Sequence, residues 1–139
     1  MALYLLDTDH LSYLQERHPR VLARLSLFRA GDRLFTSVVG VAELLKGIHL
    51  LPAGRRQREL LELYHQTLQR MAAILPISRS AAERFAAIDA SLRRKGRPIP
   101  VNDVWVAAAA LVEGAILVTG DAHFTHIDQL KTENWVAPE

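Results

Sequence analysis

The chain predicts an α/β fold, a mostly parallel sheet covered by helices on both faces. Three observations carry this. Short, mainly apolar runs recur at residues 4–6, 34–37, 74–77 and 116–118. Segments of helical periodicity fill the gaps between them. One of these segments, residues 102–113, is apolar on nearly every side, as a central buried helix would be. Strands that alternate with helices form parallel sheets with both faces covered.

Taken in order, residues 4–6 stop at Asp7 and read as the first buried strand. Thr8, Asp9 and Ser12 are the available caps for the helix that follows. Pro19 suits the first turn of a second helix, with Val21, Leu22, Leu25 and Phe28 on one face and Gly31-Asp32 as its break. After the strand at 34–37, Ser37 caps a helix over 38–49. Pro52 and Gly54 turn the chain into a long helix over 55–73, with Leu60, Leu61, Tyr64, Leu68 and Met71 at helical spacing. The strand at 74–77 leads to a helix capped by Ser80 and running to 95, whose apolar face includes Ala82, Phe85, Ala86 and Leu92. Residues 96–100 are a loop, and Gly114 stops the buried helix. Residues 116–118 form a further strand, and 135–136 are a candidate last one. No repeat, low-complexity tract or linker divides the 139 residues, so 1–139 reads as one domain.

Half the residues are hydrophobic and 23% are charged, the balance of an ordinary globular chain. The longest strictly apolar run, 104–112, is far short of the ~20 residues a membrane span needs. The start lacks a basic segment and meets Asp7 and Asp9 at once, unlike a signal peptide. With no cysteine there are no disulfides or thiolate ligands, which suits a reducing, cytoplasmic setting. Charge is unevenly spread. Residues 1–97 hold 16 Lys/Arg and 9 Asp/Glu (+7), residues 98–139 hold 1 and 6 (−5), and the total is +2. An Arg-rich body beside an acidic segment suits a phosphate-bearing polymer, and is equally compatible with a solvated surface.

Four acids stand where the chain should be apolar or neutral. Asp7 ends the first strand, Glu43 lies within the apolar stretch 38–45, Asp103 heads the buried helix, and Asp121 follows the strand at 116–118. In open parallel sheets, sites form beyond the carboxyl ends of the strands, and these positions would bring all four acids to that edge. Buried carboxylates need a cationic partner, and hard oxygen ligands select Mg²⁺ or Mn²⁺, the chemistry of hydrolytic phosphoryl transfer. Each acid also has a plain structural reading: Asp7 as a strand end, Glu43 as an exposed helix stripe beside Lys46, Asp103 as a charge at a helix N-terminus, Asp121 as a turn residue. Small Val39, Gly40 and Gly47 share the face of Glu43 and leave room for a ligand.

The stretches LYLLDTDHLS (3–12), TSVVGVAELLKGI (36–48), IPVNDVWVAAAAL (99–111) and ILVTGDAHFTHI (116–127) resemble, in order and spacing, the PIN-domain ribonucleases, specifically the VapC-type toxins of toxin–antitoxin pairs. The resemblance implies a three-layer α/β/α fold with a mainly parallel sheet of about five strands. It implies Mg²⁺- or Mn²⁺-dependent hydrolysis of RNA, a homodimer, and silencing by a VapB-type antitoxin. Asp7, Glu43, Asp103 and Asp121 match the family's four acids, which are both its metal ligands and its catalytic residues. Thr119 matches the hydroxyl that orders the carboxylates, and Gly47 a small residue after the second acid. Asp9 stands where many relatives have Asn. It is either a fifth carboxylate near the metal or a helix cap, and capping is the preferred reading. Asn102 is read as a cap, and His123 and His126 as surface residues, with a phosphate contact as the alternative for His123. Arg93, Arg94, Lys95 and Arg97 are the preferred RNA contacts, ahead of Arg55, Arg56 and Arg58. Apolar faces in 20–28 and 41–51 suit an antitoxin helix and a second subunit.

Two other classes compete. In a phosphatase of the haloacid-dehalogenase type, Asp7-Thr8-Asp9 would be the opening acid pair, but Glu43 and Asp103 would have no role. A non-catalytic binding module on the same fold has no need of four intact acids.

Overall fold

Strands β1 (Leu3–Leu6), β2 (Arg33–Ser37), β3 (Ala73–Leu75), β4 (Ile116–Val118) and β5 (Thr132–Glu133) form one sheet in the order β3-β2-β1-β4-β5. The protein is seen in a computed structural model, which describes residues 1–138. Every strand pair is parallel. Six α-helices connect or cover them: α1 (Thr8–Gln15), α2 (Pro19–Leu25), α3 (Val38–His49), α4 (Arg55–Gln69), α5 (Arg79–Arg94) and α6 (Val101–Glu113).

Side-chain alternation along the strands splits the core into two halves. Leu5, Phe35 and Leu117 face one side and pack under α5 and α6, with Ala107, Ala108 and Ala110 letting α6 lie close to the sheet. Tyr4, Leu6, Leu34 and Val118 face the other side, against α1 to α4 and Trp135. The three-layer α/β/α architecture follows directly. The order of strands reverses between β1 and β4, and the crevice beyond their carboxyl ends is the switch point where such sheets bind ligands.

Several boundaries differ from the sequence expectation. Helix α4 ends at Gln69, not 73, because Ala72 N–H is drawn onto the Leu34 carbonyl at 2.7 Å as the chain enters β3. Pro76 follows β3 and cannot continue its ladder, so the strand stops at Leu75. Ser78, not Ser80, caps α5 by accepting Ala81 N–H at 3.1 Å. Helix α1 is capped by Asp7 itself, which accepts Thr8 N–H at 2.8 Å, so Thr8, Asp9 and Ser12 lie inside the helix. Asn102 is likewise inside α6, whose N-cap position is Pro100. The last strand is Thr132–Glu133. Residues 135–136 miss the sheet because the Trp135 ring turns onto Tyr4 and Phe28, with centroids 5.5 and 6.1 Å away.

Candidate active site

The sheet brings the four acids singled out in the sequence to its carboxyl edge. Asp7 leaves the central strand β1. Asp121 lies three residues beyond β4 and caps the short 3₁₀ helix Ala122–His126 by accepting His123 N–H at 2.9 Å. Asp103 occupies the first turn of α6, and Glu43 the middle of α3. Asp7 is buried, and its Oδ2 accepts the Thr119 hydroxyl at 2.8 Å. The same hydroxyl oxygen accepts Asp121 N–H at 3.0 Å. One side chain thus aligns the acid after β1 with the acid after β4.

The carboxylates crowd one another. Burial pushes the Asp7 carboxyl up to about 6, with the charges of Asp9 and Asp103 adding to the rise and the bonds from Thr8 and Thr119 opposing it. Burial likewise raises Glu43, reinforced by Asp103. Thr8 and Asn102 lie close enough to favour the Glu43 anion, although the Thr8 hydroxyl closes no bond of good geometry. Asp103 is raised by burial and by Asp121 and Asp9, against a bond to His123. The imidazole sits between two acids, its Nδ1 2.7 Å from Asp103 Oδ2 and 3.2 Å from Asp121 Oδ2. That placement raises the His123 ring, chiefly through Asp103.

This donor set fits a hard divalent cation. Asp103, Asp121 and His123 each present a ligand atom within 4.8 Å of the others'. Among the described residues, no Lys or Arg forms an ion pair with Asp7, Glu43, Asp103 or Asp121. Lys46 offsets Glu43 and His123 offsets Asp103 only in part, and crowded carboxylates of which Asp7, Glu43 and Asp103 stay raised match the oxygen-rich demand of a hard divalent cation.

The other expected residues divide. Asp9 is not a helix cap: its Oδ1 meets His10 N–H at 2.6 Å and His10 Nδ1 at 2.8 Å, and its Oδ2 accepts Gly120 N–H at 2.8 Å. Gly40 lies against Thr36 and Thr8, whereas a side chain at Gly47 would meet only open space. Arg93 pairs with Asp89, Lys95 reaches Asp128 and the His126 carbonyl, and Arg97 lies 2.9 Å from His126 Nε2. The loop that follows α5 leads these cations to the start of α6, which carries Asp103. Sequence reasoning missed His10, and it read His123 as a surface residue, which the exposed ring bears out while also bridging Asp103 and Asp121. Its spacing, two residues after Asp121, was the available signal for His123. For His10 the sequence offers none, because its role depends on Trp135 at the far end of the chain.

The PIN domain model matches residues 4–130, nearly the whole chain. The chain belongs to the PIN-domain family. Among the relatives of this PIN domain, Ribonuclease VapC2 of Haemophilus influenzae is 33% identical over 138 residues, covering 98% of this chain and 100% of that protein. Ribonuclease VapC1 of the same species is 29% identical over 135 residues, covering 96% and 98%. A solved structure of VapBC2 from Rickettsia felis, bound to a DNA fragment from its promoter, superposes with a TM-score of 0.85 at 26% identity, covering 96% of this chain and 98% of that one. The haloacid-dehalogenase alternative falls with this membership. It also fails on geometry, since Asp9, the second acid it requires, has both oxygens held by protein donors. No helix among the described residues is long and apolar enough to cross a membrane.

Proposed function

We propose that this PIN domain is a metal-dependent endoribonuclease, the toxin of a VapBC-type toxin–antitoxin pair. The observation that carries the reading is the meeting of Asp7, Glu43, Asp103 and Asp121 at the switch point, with the Asp7, Glu43 and Asp103 carboxyls raised and no lysine or arginine in an ion pair with any of the four among the described residues. The near full-length likeness to VapC ribonucleases supports the substrate class. Asp7, Asp103, Asp121 and Glu43 are the ligands in this reading, and the ion is Mg²⁺ or Mn²⁺. Such an ion, when bound, supplies a Lewis acid and a water of lowered pKa. Thr119 holds Asp7 in its ligating orientation. Glu43, half-buried and raised, is tuned towards accepting a proton from the attacking water. The Arg93, Arg94, Lys95 and Arg97 group lies on the α6 side of the acids and would meet the RNA backbone there.

The partners follow the same reading. Exposed Leu27 and Leu50 sit on the apolar segments expected to take an antitoxin helix and a second copy of the chain. The VapBC complex from Rickettsia felis supports a VapB-type partner. A cytoplasmic location suits an enzyme acting on cellular RNA.

The test is cleavage-site mapping on total RNA with wild type beside Asp103→Asn, with and without Mn²⁺. Cleavage that needs both the metal and Asp103 is expected, with the variant down by at least about 100-fold and still folded by circular dichroism. Equal cutting by the two proteins would reject the proposal.

A further inference from the structure

Asp9 is an acid at this edge, beside Asp7, that the proposed chemistry leaves without a task. Protein donors take three of its four lone-pair positions, two on Oδ1 and one on Oδ2, so it offers less capacity for an ion than its neighbours. The neighbour that engages it is itself unusual. His10 is fully buried, and its Nε2 lies 3.1 Å from the Trp135 backbone nitrogen. A backbone N–H can only donate, so Nε2 accepts and the ring proton sits on Nδ1, aimed at Asp9.

The donors therefore run in one direction. Trp135 N–H donates to His10, His10 Nδ1–H donates to Asp9, and Gly120 N–H donates to the other Asp9 oxygen. An asparagine at position 9 cannot serve. With its oxygen towards Gly120, its NH₂ would face Nδ1–H. With its oxygen towards His10, its NH₂ would face Gly120 N–H. Reversing the His10 tautomer only moves the conflict to Trp135 N–H. A histidine at position 10 thus requires a carboxylate at position 9. The approach is close: a Cβ on Gly120 would lie 3.2 Å from Asp9 Oδ2, so Asp9 would have to give by a few tenths of an ångström.

We propose that Asp9 and His10 are a matched pair of positioning residues. They hold the Thr119–Gly120–Asp121 segment against α1 so that Thr119 and Asp121 meet Asp7 and Asp103, and Asp9 itself binds no metal. The consequence for metal affinity rests on the metal-centre reading above; the consequence for Gly120 does not.

The experiment is a cycle of Asp9→Asn, His10→Leu and the double variant. It reads the Gly120 amide by ¹⁵N NMR without metal, Mn²⁺ affinity by calorimetry, and melting temperature separately. Asp9→Asn should lose the downfield, exchange-protected Gly120 amide and weaken Mn²⁺ binding by about 10–100-fold. In the double variant the Nδ1–H is gone and only the backbone N–H of residue 10 still meets the introduced amide, so its oxygen can turn to Gly120 N–H at lower cost. The Gly120 signal and most of the Mn²⁺ affinity should return even if melting stays low. Equal loss of Mn²⁺ binding with and without His10→Leu would overturn the proposal, because a metal ligand behaves that way. An unchanged Gly120 amide in Asp9→Asn alone would also overturn it, and needs no leucine variant to fold. Wild type that binds no Mn²⁺ while Gly120 responds as described would support the positioning role and reject the metal reading.

Discussion

Asp7 and Asp9 are two residues apart at the same sheet edge, yet the fold treats them oppositely. Asp7 is buried with one donor on each oxygen and lies near other acids, which leaves its carboxyl raised to about 6. Asp9 is less buried, is held by three donors, and has its carboxyl lowered. The difference separates two uses of a carboxylate. An acid satisfied by the protein serves as structure, whereas one left crowded and raised fits the ligand role proposed for Asp7. Proximity to the site does not distinguish them; the supply of donors does.

The strongest way to break this contrast is Asp7→Asn. Cleavage should fall by about 10²–10³-fold or more, since a proposed ligand is lost. Stability should move the other way. The Asp7 carboxyl stands at about 6 against an ordinary 3.8, so its ionisation opposes folding. That penalty is absent below pH ~3.8, grows as pH rises, and is complete above pH ~6, where it reaches at most about 3 kcal/mol. Metal-free Asp7→Asn should therefore match wild type near pH 4 and unfold at higher denaturant by pH 7. Saturating Mn²⁺ should erase the advantage by stabilising wild type alone. Denaturant titrations at the two pH values, with and without metal, measure all of this. A variant less stable than metal-free wild type at pH 7 would place Asp7 on the satisfied side.

Next in size is Thr119→Val, which removes the hydroxyl joining Asp7 to Asp121 N–H. The raised Asp7 carboxyl should rise further, and Mn²⁺ affinity and cleavage should drop by about 10–100-fold. The pH at which cleavage reaches half its maximum should shift upward, as followed by rate measurements across pH 5–8. Thr119→Ser keeps the hydroxyl and should keep most of the activity.

These residues also show what the sequence could and could not reveal. Each strand at the core of the sheet was legible because its apolar run is local, and Ile116–Val118 falls where the sequence predicts it. The meeting of the four acids was legible because a parallel α/β sheet directs strand ends to one edge whatever the loops do. Caps were less legible. Ser78 and Ser80 are chemically equivalent candidates, and only the path out of Pro76 decides between them. Asp7, expected as a strand end, turned out to cap α1 as well. The Asp9–His10–Trp135 connection was beyond reach, because its partners lie 125 residues apart and no periodicity links them. Within the candidate site, the shared placement of the acids was readable, but the donors that divide one acid from another were not.

The smallest effect, and the finest probe of the contrast, comes from Gly120→Ala. Its backbone needs no left-handed conformation, so alanine gains about 0.4–1 kcal/mol from the unfolded chain. Against this, the new Cβ would stand 3.2 Å from Asp9 Oδ2 and 3.3 Å from Asn134 Nδ2. Neither neighbour yields freely: Asp9 is fixed by His10, and Asn134 holds Val136 N–H at 3.1 Å. The two terms nearly cancel, so the melting temperature should change little. The displaced loop should still weaken Mn²⁺ binding several-fold. In a His10→Leu background Asp9 can retreat, and the same alanine should then cost much less metal affinity. Calorimetry on the four proteins measures that coupling. Strictly additive losses would mean that the His10 ring does not fix Asp9, and that its backbone donors, His10 N–H and Gly120 N–H, hold it instead.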